Sequence, residues 1–214
     1  MFDEWVKCAL DQRCDCLTCG PMFDTLDDVL SDLNRRLGRA AKDRRSPMHT
    51  PAVITSDVDA RTMVLREFNR DTFTLRFHTD TRAPKVEQIE ADPRMAALFY
   101  DKGAKIQIRV RGTGAVLRDA EITHAAWDKG SNFARRCYLG EGPGAPAEGP
   151  TSGLPAEFEG VEPDTDQLVA ARPNFAVLMI TLTELDWLYL AHTGHARARF
   201  ALGDDGWQGS WVTP

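Results

Sequence analysis

No apolar run in this chain approaches membrane-spanning length, and the first residues lack the hydrophobic core of a signal peptide. A membrane-spanning or secreted protein is therefore not expected, and cytoplasmic residence is the default. Basic surplus is missing as well. With 26 Lys and Arg against 32 Asp and Glu, the formal charge is −6. That argues against a general nucleic-acid binder, because neutralising phosphates needs a basic excess. Cysteine is almost confined to one place: of five, only Cys137 lies beyond residue 19. Disulfides are not expected in a cytosolic chain.

The other four, Cys8, Cys14, Cys16 and Cys19, fall in residues 1–21. Thiolates are soft ligands for zinc or an iron–sulfur cluster. One Cys-x-x-Cys pair without a second at a recognised spacing is nevertheless weak support for a metal site, and none is expected. Two plainer readings stay open: a poorly ordered extension over 1–21, or translation that truly starts at Met22. Residues 22–214 read as one domain. With 43% hydrophobic and 27% charged residues, the chain is large enough to bury a good core.

Residues 25–42 place Leu26, Val29, Leu30, Leu33 and Leu37 at helical spacing behind a Thr25/Asp28 N-cap signature, with arginines in the last turn. A first strand is expected over 49–56, with a turn at 57–59. Three β-prone runs follow: 62–66, 72–77 and 95–100, the first two joined by a hairpin-like turn at Asn69-Arg70-Asp71. Pro84 opens one or two turns of helix. In the run from Lys105 to Leu117, Ile106, Ile108 and Val110 alternate with Gln107, Arg109 and Arg111, the period of a half-buried strand. Further helices are expected at 119–129 and 164–171, and strands at 175–182 and 184–189. A Gly/Pro-rich connection at 139–163 is either a surface loop or a lid.

Arg61, Arg66, His78, Thr79, Arg82 and Lys85 gather at strand ends and at the start of the short helix. Cations beside a helix N-terminus suit a phosphate, because backbone donors, dipole and full charges all favour an anion. The simpler alternative is a set of solvated strand ends.

The order Arg61-x-x-x-Leu65-Arg66, Phe77-His78-Thr79-Asp80, Lys85, Asp92-Pro93, Phe99-Tyr100 and Gln107-x-Arg109-x-x-Gly112 resembles the pyridoxamine 5′-phosphate oxidase-like, FMN-binding split-barrel family, in its oxidase-related branch. The C-terminal run, an acidic-x-Trp strand and a closing tryptophan strand ending in proline, resembles the family's end. The resemblance spans about residues 24–214, with gaps around 119–163. It implies a mainly β fold with flanking helices, a six-stranded antiparallel split barrel.

It also implies FMN as cofactor and a homodimer with flavin sites at the subunit interface. Arg61, Arg66 and Lys85 would hold the phosphate. Thr62, Val64 and Leu65, with His78 and Thr79, would lie along the flavin, and Gln107 near its ring. Trp187 and Arg199 match residues that reach the flavin from the second subunit, and His195 and Arg197 match a substrate grip. The parent oxidases carry Arg-Lys where this chain has Pro84-Lys85, so Arg82 is expected to supply that charge. Their Gln-Ser pair has no counterpart in this sequence, and the histidine and arginine of the substrate grip are exchanged. Rapid oxidation of pyridoxamine phosphate is therefore not expected.

Taken alone, Trp187 reads as a core or interface tryptophan. No side-chain nucleophile or acid–base dyad stands out, so no catalytic side chain is assigned. The resulting expectation is an FMN-dependent oxidoreductase of an unidentified small molecule. Alternatives are a flavin-binding sensor or carrier without turnover, and a split barrel for deazaflavin or haem.

Overall fold

The computed structural model describes residues 23–192 and 194–214, so the Cys-rich prefix lies outside the described residues. Helix α1 spans Leu26–Lys42, starting at a capping box in which Thr25 accepts from the Asp28 N–H and Asp28 reaches back to Thr25. Its apolar stripe, Val29, Leu33, Leu37 and Ala40, is fully buried in the main core. Nine strands follow among the described residues: β1 (Ala52–Thr55), β2 (Ala60–Thr62), β3 (Glu67–Asn69), β4 (Thr74–Asp80), β5 (Arg94–Asp101), β6 (Ile106–Leu117), β7 (Phe175–Ala191), β8 (Gly194–Gly203) and β9 (Gly206–Trp211). Helix α2 (Pro84–Ala91) lies between β4 and β5. Helix α3 (Glu121–Asp128) and the short α4 (Asn132–Arg135) follow β6.

All strand pairs are antiparallel, in the order β2-β1-β5-β6-β7-β4-β3, with β8 and β9 branching from β7. The sheet curls without closing, which is the split barrel, built from more and shorter strands than the six expected. Its hub is β7. Residues 175–181 pair with β4, while 184–191 pair with β8, and β6 runs along both halves. The two strands expected at 175–182 and 184–189 are thus one. The ladder slips between Arg111 and Gly112, leaving Thr183 opposite no residue of β6. A bulge of this kind bends a long strand. Gly112 is required there, since a Cβ would sit 2.0 Å from the Thr181 carbonyl oxygen.

Inside and outside follow the strand period. Met95, Ala97 and Phe99 of β5 and Ile106, Ile108 and Val110 of β6 are buried in the main core, so Leu98, Tyr100, Gln107, Arg109 and Arg111 project from the outer face. Trp127, Leu168, Ala171, Phe175 and Val177 form a second, smaller core on the other face of β7.

Two expected elements differ. The strand predicted over 62–66 ends at Thr62. Residues 63–66 cross from the β1 edge to the β4 edge on isolated bonds, from the Met63 N–H to Pro51 O and the Leu65 N–H to His49 O. The helix predicted at 164–171 is a turn leading into a 3-10 stretch at Val169–Asn174. Its proline, Pro173, cannot donate to an α-helical ladder.

Candidate cofactor site

The β1–β2 hairpin turns at residues 56–59, with Val58 at φ 69°, and returns Arg61 opposite Val53. Arg61 donates to Thr55 Oγ1 (3.2 Å) and Gln88 Oε1 (3.3 Å), and pairs with Asp59. Thr55 and Gln88 come from β1 and α2, so the guanidinium is oriented from two elements. Lys85, in the first turn of α2, reaches Thr79 Oγ1 at 3.4 Å. Burial, and then the charge of Arg61, hold the Lys85 ammonium below the ordinary lysine value, while Asp80 and Asp59 oppose that shift. Two cations are thus brought together at the start of a helix whose N-cap, Ala83, supplies no side-chain acceptor. Helix N-terminal N–H groups left without such a cap are natural anion donors.

Arg66 is exposed and its backbone enters from another element. The extended crossing at 63–66 carries it to the β3–β4 side, where its backbone N–H bonds Arg76 O. There its charge acts on His78 and on Tyr138. His78 projects from the outer face of β4, its ring edge-on to Phe175 at 5.0 Å. Burial, then Arg66 and Arg76, push the imidazole down to about 4, so it is neutral at pH 7. Its Nε2 is buried and has no hydrogen-bond partner.

A folded-state pKa depressed from 6.5 to about 4 means that the unfolded chain binds the extra proton in that window. His78 therefore costs nothing above pH 6.5, and stability falls as pH drops towards 4, by about 2–3 kcal/mol. Urea unfolding of the wild type and His78→Gln checks this. The variant should lose less stability than the wild type between pH 7 and pH 4.5. Parallel losses would contradict it.

Arg82 is held by partners within the chain. Asp80, itself buried, holds its Nε at 3.0 Å and Nη2 at 2.8 Å, and its Nη1 donates to Gly140 O at 2.9 Å. Each of its nitrogens thus has a partner within the chain, and Arg82 fastens the 139–163 loop, with one N–H left on each terminal nitrogen. Leu65 is fully buried and Val64 half-buried, which leaves only their backbone for a ligand, whereas Thr62 is exposed. Gln107 is half-buried on the outer face of β6, flanked by Tyr100 and Leu188.

Trp187 also departs from expectation. It has no exposed surface, and its Nε1 donates to Asp32 Oδ2 at 3.0 Å. Its strand neighbours, Ile108 and Ala198, are likewise buried, and Phe23 packs edge-on against its ring at 4.4 Å. The alternation of β7 turns this side chain into the barrel, so the core reading holds and a flavin contact does not. Arg199 is on the outer face, with Arg197 and Arg109, and all three pair with Asp186. Burial opposes ionisation of that carboxyl, but hydrogen bonds from Arg197 and Arg109 outweigh it and keep its pKa low. His195 is exposed on β8, opposite Leu190.

Two grooves run along this outer face. One, of about 490 Å³, begins at Thr55 and Ser56 beside Arg61. The other, of about 570 Å³, shares Ile54, Ala96, Arg111 and Glu184 with the first and continues to Arg199 and Ser210. The two grooves thus form one depression that runs from Thr55 and Ser56 to Arg199 and Ser210; Arg61 and Lys85 line neither. The sequence reading missed the residues that orient these cations: Asp59, Thr55 and Gln88 for Arg61, Asp80 for Arg82 and Asp186 for the β8 arginines. The Asp-x-Arg spacing at 59–61 and 80–82 was the available signal for two of them.

The donor set suits FMN on the chain's own features. Arg61 and Lys85 are brought together beside the start of α2, whose N-cap supplies no side-chain acceptor, which is a donor set fit for a phosphate. Among the described residues no group of three or more His, Cys, Asp or Glu is placed to hold a metal ion.

Residues 33–118 match the family model described as pyridoxamine 5′-phosphate oxidase, FMN-binding domain. A pyridoxine/pyridoxamine 5′-phosphate oxidase of Caulobacter vibrioides is 32% identical over 84 residues, which is 36% of this chain and 37% of that protein. The chain thus aligns with little more than a third of that curated relative. A pyridoxamine 5′-phosphate oxidase-related, FMN-binding protein of Nostoc punctiforme superposes with a TM-score of 0.67 at 25% identity, over 86% of this chain and 96% of its own. PhzG of Burkholderia lata, solved with tetrahydrophenazine-1-carboxylic acid, shares the fold at a TM-score of 0.66 and 16% identity, over 91% of this chain and 98% of its own. Over residues 33–118, then, the chain is similar to the FMN-binding domain of the pyridoxamine 5′-phosphate oxidases, and its fold as a whole is that of the FMN-binding split barrels.

Proposed function

We propose that this protein is an FMN-dependent oxidoreductase of a small molecule, working as a homodimer. The observation that carries the reading is the Arg61–Lys85 pair at the start of α2, where a partly desolvated ammonium is held beside a guanidinium. Arg61, Lys85 and the Thr79 hydroxyl would hold the FMN phosphate. The exposed Thr62, the backbone of Val64 and Leu65, and Gln107 would lie along the ring. Bound FMN supplies the redox chemistry, while the protein supplies binding, orientation and electrostatics. His78, neutral and unpartnered, is a hydrogen-bonding group and not a charge, and Arg66 beside it adds positive potential on that side.

The homodimer rests on the outer sheet face. Leu98, Tyr100 and Leu190 are exposed there, and Leu98 lines the groove that runs to Arg199. A two-fold contact buries the same patch twice. It would carry Arg199 of a second copy towards the first copy's flavin. Arg197 is tied to Asp186, which leaves His195 as the freer of the two substrate candidates.

Absorbance of the purified protein, followed by stopped-flow mixing with NADH or NADPH, tests the reading. Flavin bands that bleach rapidly support an oxidoreductase. Bands that persist with both nucleotides and with pyridoxamine 5′-phosphate would leave a carrier. Rapid turnover of pyridoxamine 5′-phosphate at low concentration would overturn the view that this is not an efficient oxidase of that compound.

A further inference from the structure

The 139–163 connection is not an open loop. At its neck the Glu141 N–H donates to Gly153 O at 2.8 Å, and a Cβ on Gly140 would meet that same oxygen at 2.6 Å, so the two arms touch. At its far base Arg136 donates to Phe158 O (3.0 Å) and Val161 O (3.2 Å) while lying over the Phe133 ring at 3.7 Å. Glu162 accepts from the Phe133 N–H at 3.2 Å. Both ends are thus fixed.

The tip is fastened much more lightly. Its contacts fall on the residues that open α2. Arg82 donates to Gly140 O, a Cβ on Gly142 would touch the Arg82 side chain at 3.3 Å, and Gly144, at φ 88°, sits over Pro84 with its added Cβ 3.5 Å from Cγ. Residues 141–151 are otherwise almost wholly exposed, and none adds a side chain to either core. The next residue after Pro84 is Lys85. A segment with a rigid base and a tip lacking apolar anchors opens at low cost.

We propose that residues 140–152 form a strap over the phosphate end of the cofactor site and gate the entry and exit of FMN. This rests on the functional reading above, since the strap gates nothing if no flavin binds. The Asp80–Arg82–Gly140 chain is the latch. Asp80 keeps the guanidinium aimed at the strap, and opening breaks one hydrogen bond to a charged donor along with the contacts on Pro84.

A gate and a ligand contact leave different kinetic signatures. Removing a contact speeds release alone, whereas removing a gate speeds binding and release together and leaves affinity nearly unchanged. The neck suggests the variant: excising residues 142–152 and joining Glu141 to Gly153 removes the tip while keeping the Arg82–Gly140 latch and every cation of the site. Arg82→Ala is the second variant, keeping the strap but removing the latch.

FMN association and dissociation are followed by flavin fluorescence in stopped flow. Both rates should rise about tenfold in Arg82→Ala, the scale of one hydrogen bond to a charged group, and at least as much in the excision variant, which has no strap left to open, with Kd in each within about threefold of the wild type. Unchanged rates in both variants, or faster release without faster binding, would overturn the strap and leave the flavin assignment standing. A wild type that takes up no FMN would overturn both.

Discussion

Lys85→Glu should weaken FMN binding by two to three orders of magnitude while leaving the weaker binding of riboflavin nearly unchanged. The phosphate of FMN carries about −1.5 to −2 charges at neutral pH. A hydrogen bond between ionised groups contributes about 1.5–3 kcal/mol, roughly ten- to hundredfold in affinity, and reversal adds repulsion. Lys85 is half-buried and already depressed by burial and by Arg61, so its charge is poorly screened. Arg61→Glu should act in the same direction, with part of the effect absorbed because Asp59 and Gln88 lose their partner.

The pH dependence follows from the sign of the Lys85 shift. With its pKa below the ordinary lysine value, the free protein loses this proton earlier on the alkaline side. A bound phosphate restores the proton, so FMN affinity should fall as pH rises through that window. Riboflavin affinity should not. Fluorescence quenching titrations of both flavins across alkaline pH measure this, and parallel losses for the two ligands would contradict it.

The second large effect concerns stability. Asp32 is 5% exposed and accepts from Trp187 Nε1, Arg36 Nε (2.7 Å) and Arg35, and Arg36 continues to Asp101 at 3.2 Å. One carboxylate therefore ties α1 to β7 and, through Arg36, to the end of β5. Asp32→Ala leaves Arg36, with 13% of its side chain exposed, only Asp101, and leaves the indole N–H unpaired inside the barrel. Breaking a buried pair from one side costs about 3–5 kcal/mol.

Trp187→Ala should cost about as much, through the cavity it opens. Trp187→Phe, which mainly removes the donor, should cost about 1–3 kcal/mol. Thermal unfolding should show Tm falling by about 2–4 °C per kcal/mol at this size. Trp187→Phe should also keep the wild-type FMN affinity. A variant of normal stability that has lost FMN would restore the flavin contact expected from the sequence.

Trp187 shows why part of the site was illegible. An acidic-x-Trp strand reads equally as a ligand wall or a core wall. What settles it is Asp32, 155 positions away and brought in by α1. The helix itself was readable, because its cap and its apolar spacing are local. So was the in-out alternation of 106–111, since the strand period is fixed by backbone geometry. That Lys85 sits in the first turn of a helix was readable because Pro84 marks the helix start.

The backbone course at Arg66 was not legible. The sequence carries no sign that residues 63–66 leave the ladder and bring the Arg66 backbone to Arg76. Of the partners of Arg82, Asp80 is two residues away and visible, whereas the Gly140 carbonyl is supplied only by the folded loop.

The account turns on recognition of a phosphate by Arg61, Lys85 and Thr79. Titrating flavin-free wild-type protein with FMN and with riboflavin under identical conditions tests it most directly. The prediction is saturation at one FMN per protomer, with riboflavin bound at least about a hundredfold more weakly. Equal affinity for the two flavins, or no binding of FMN, would contradict it.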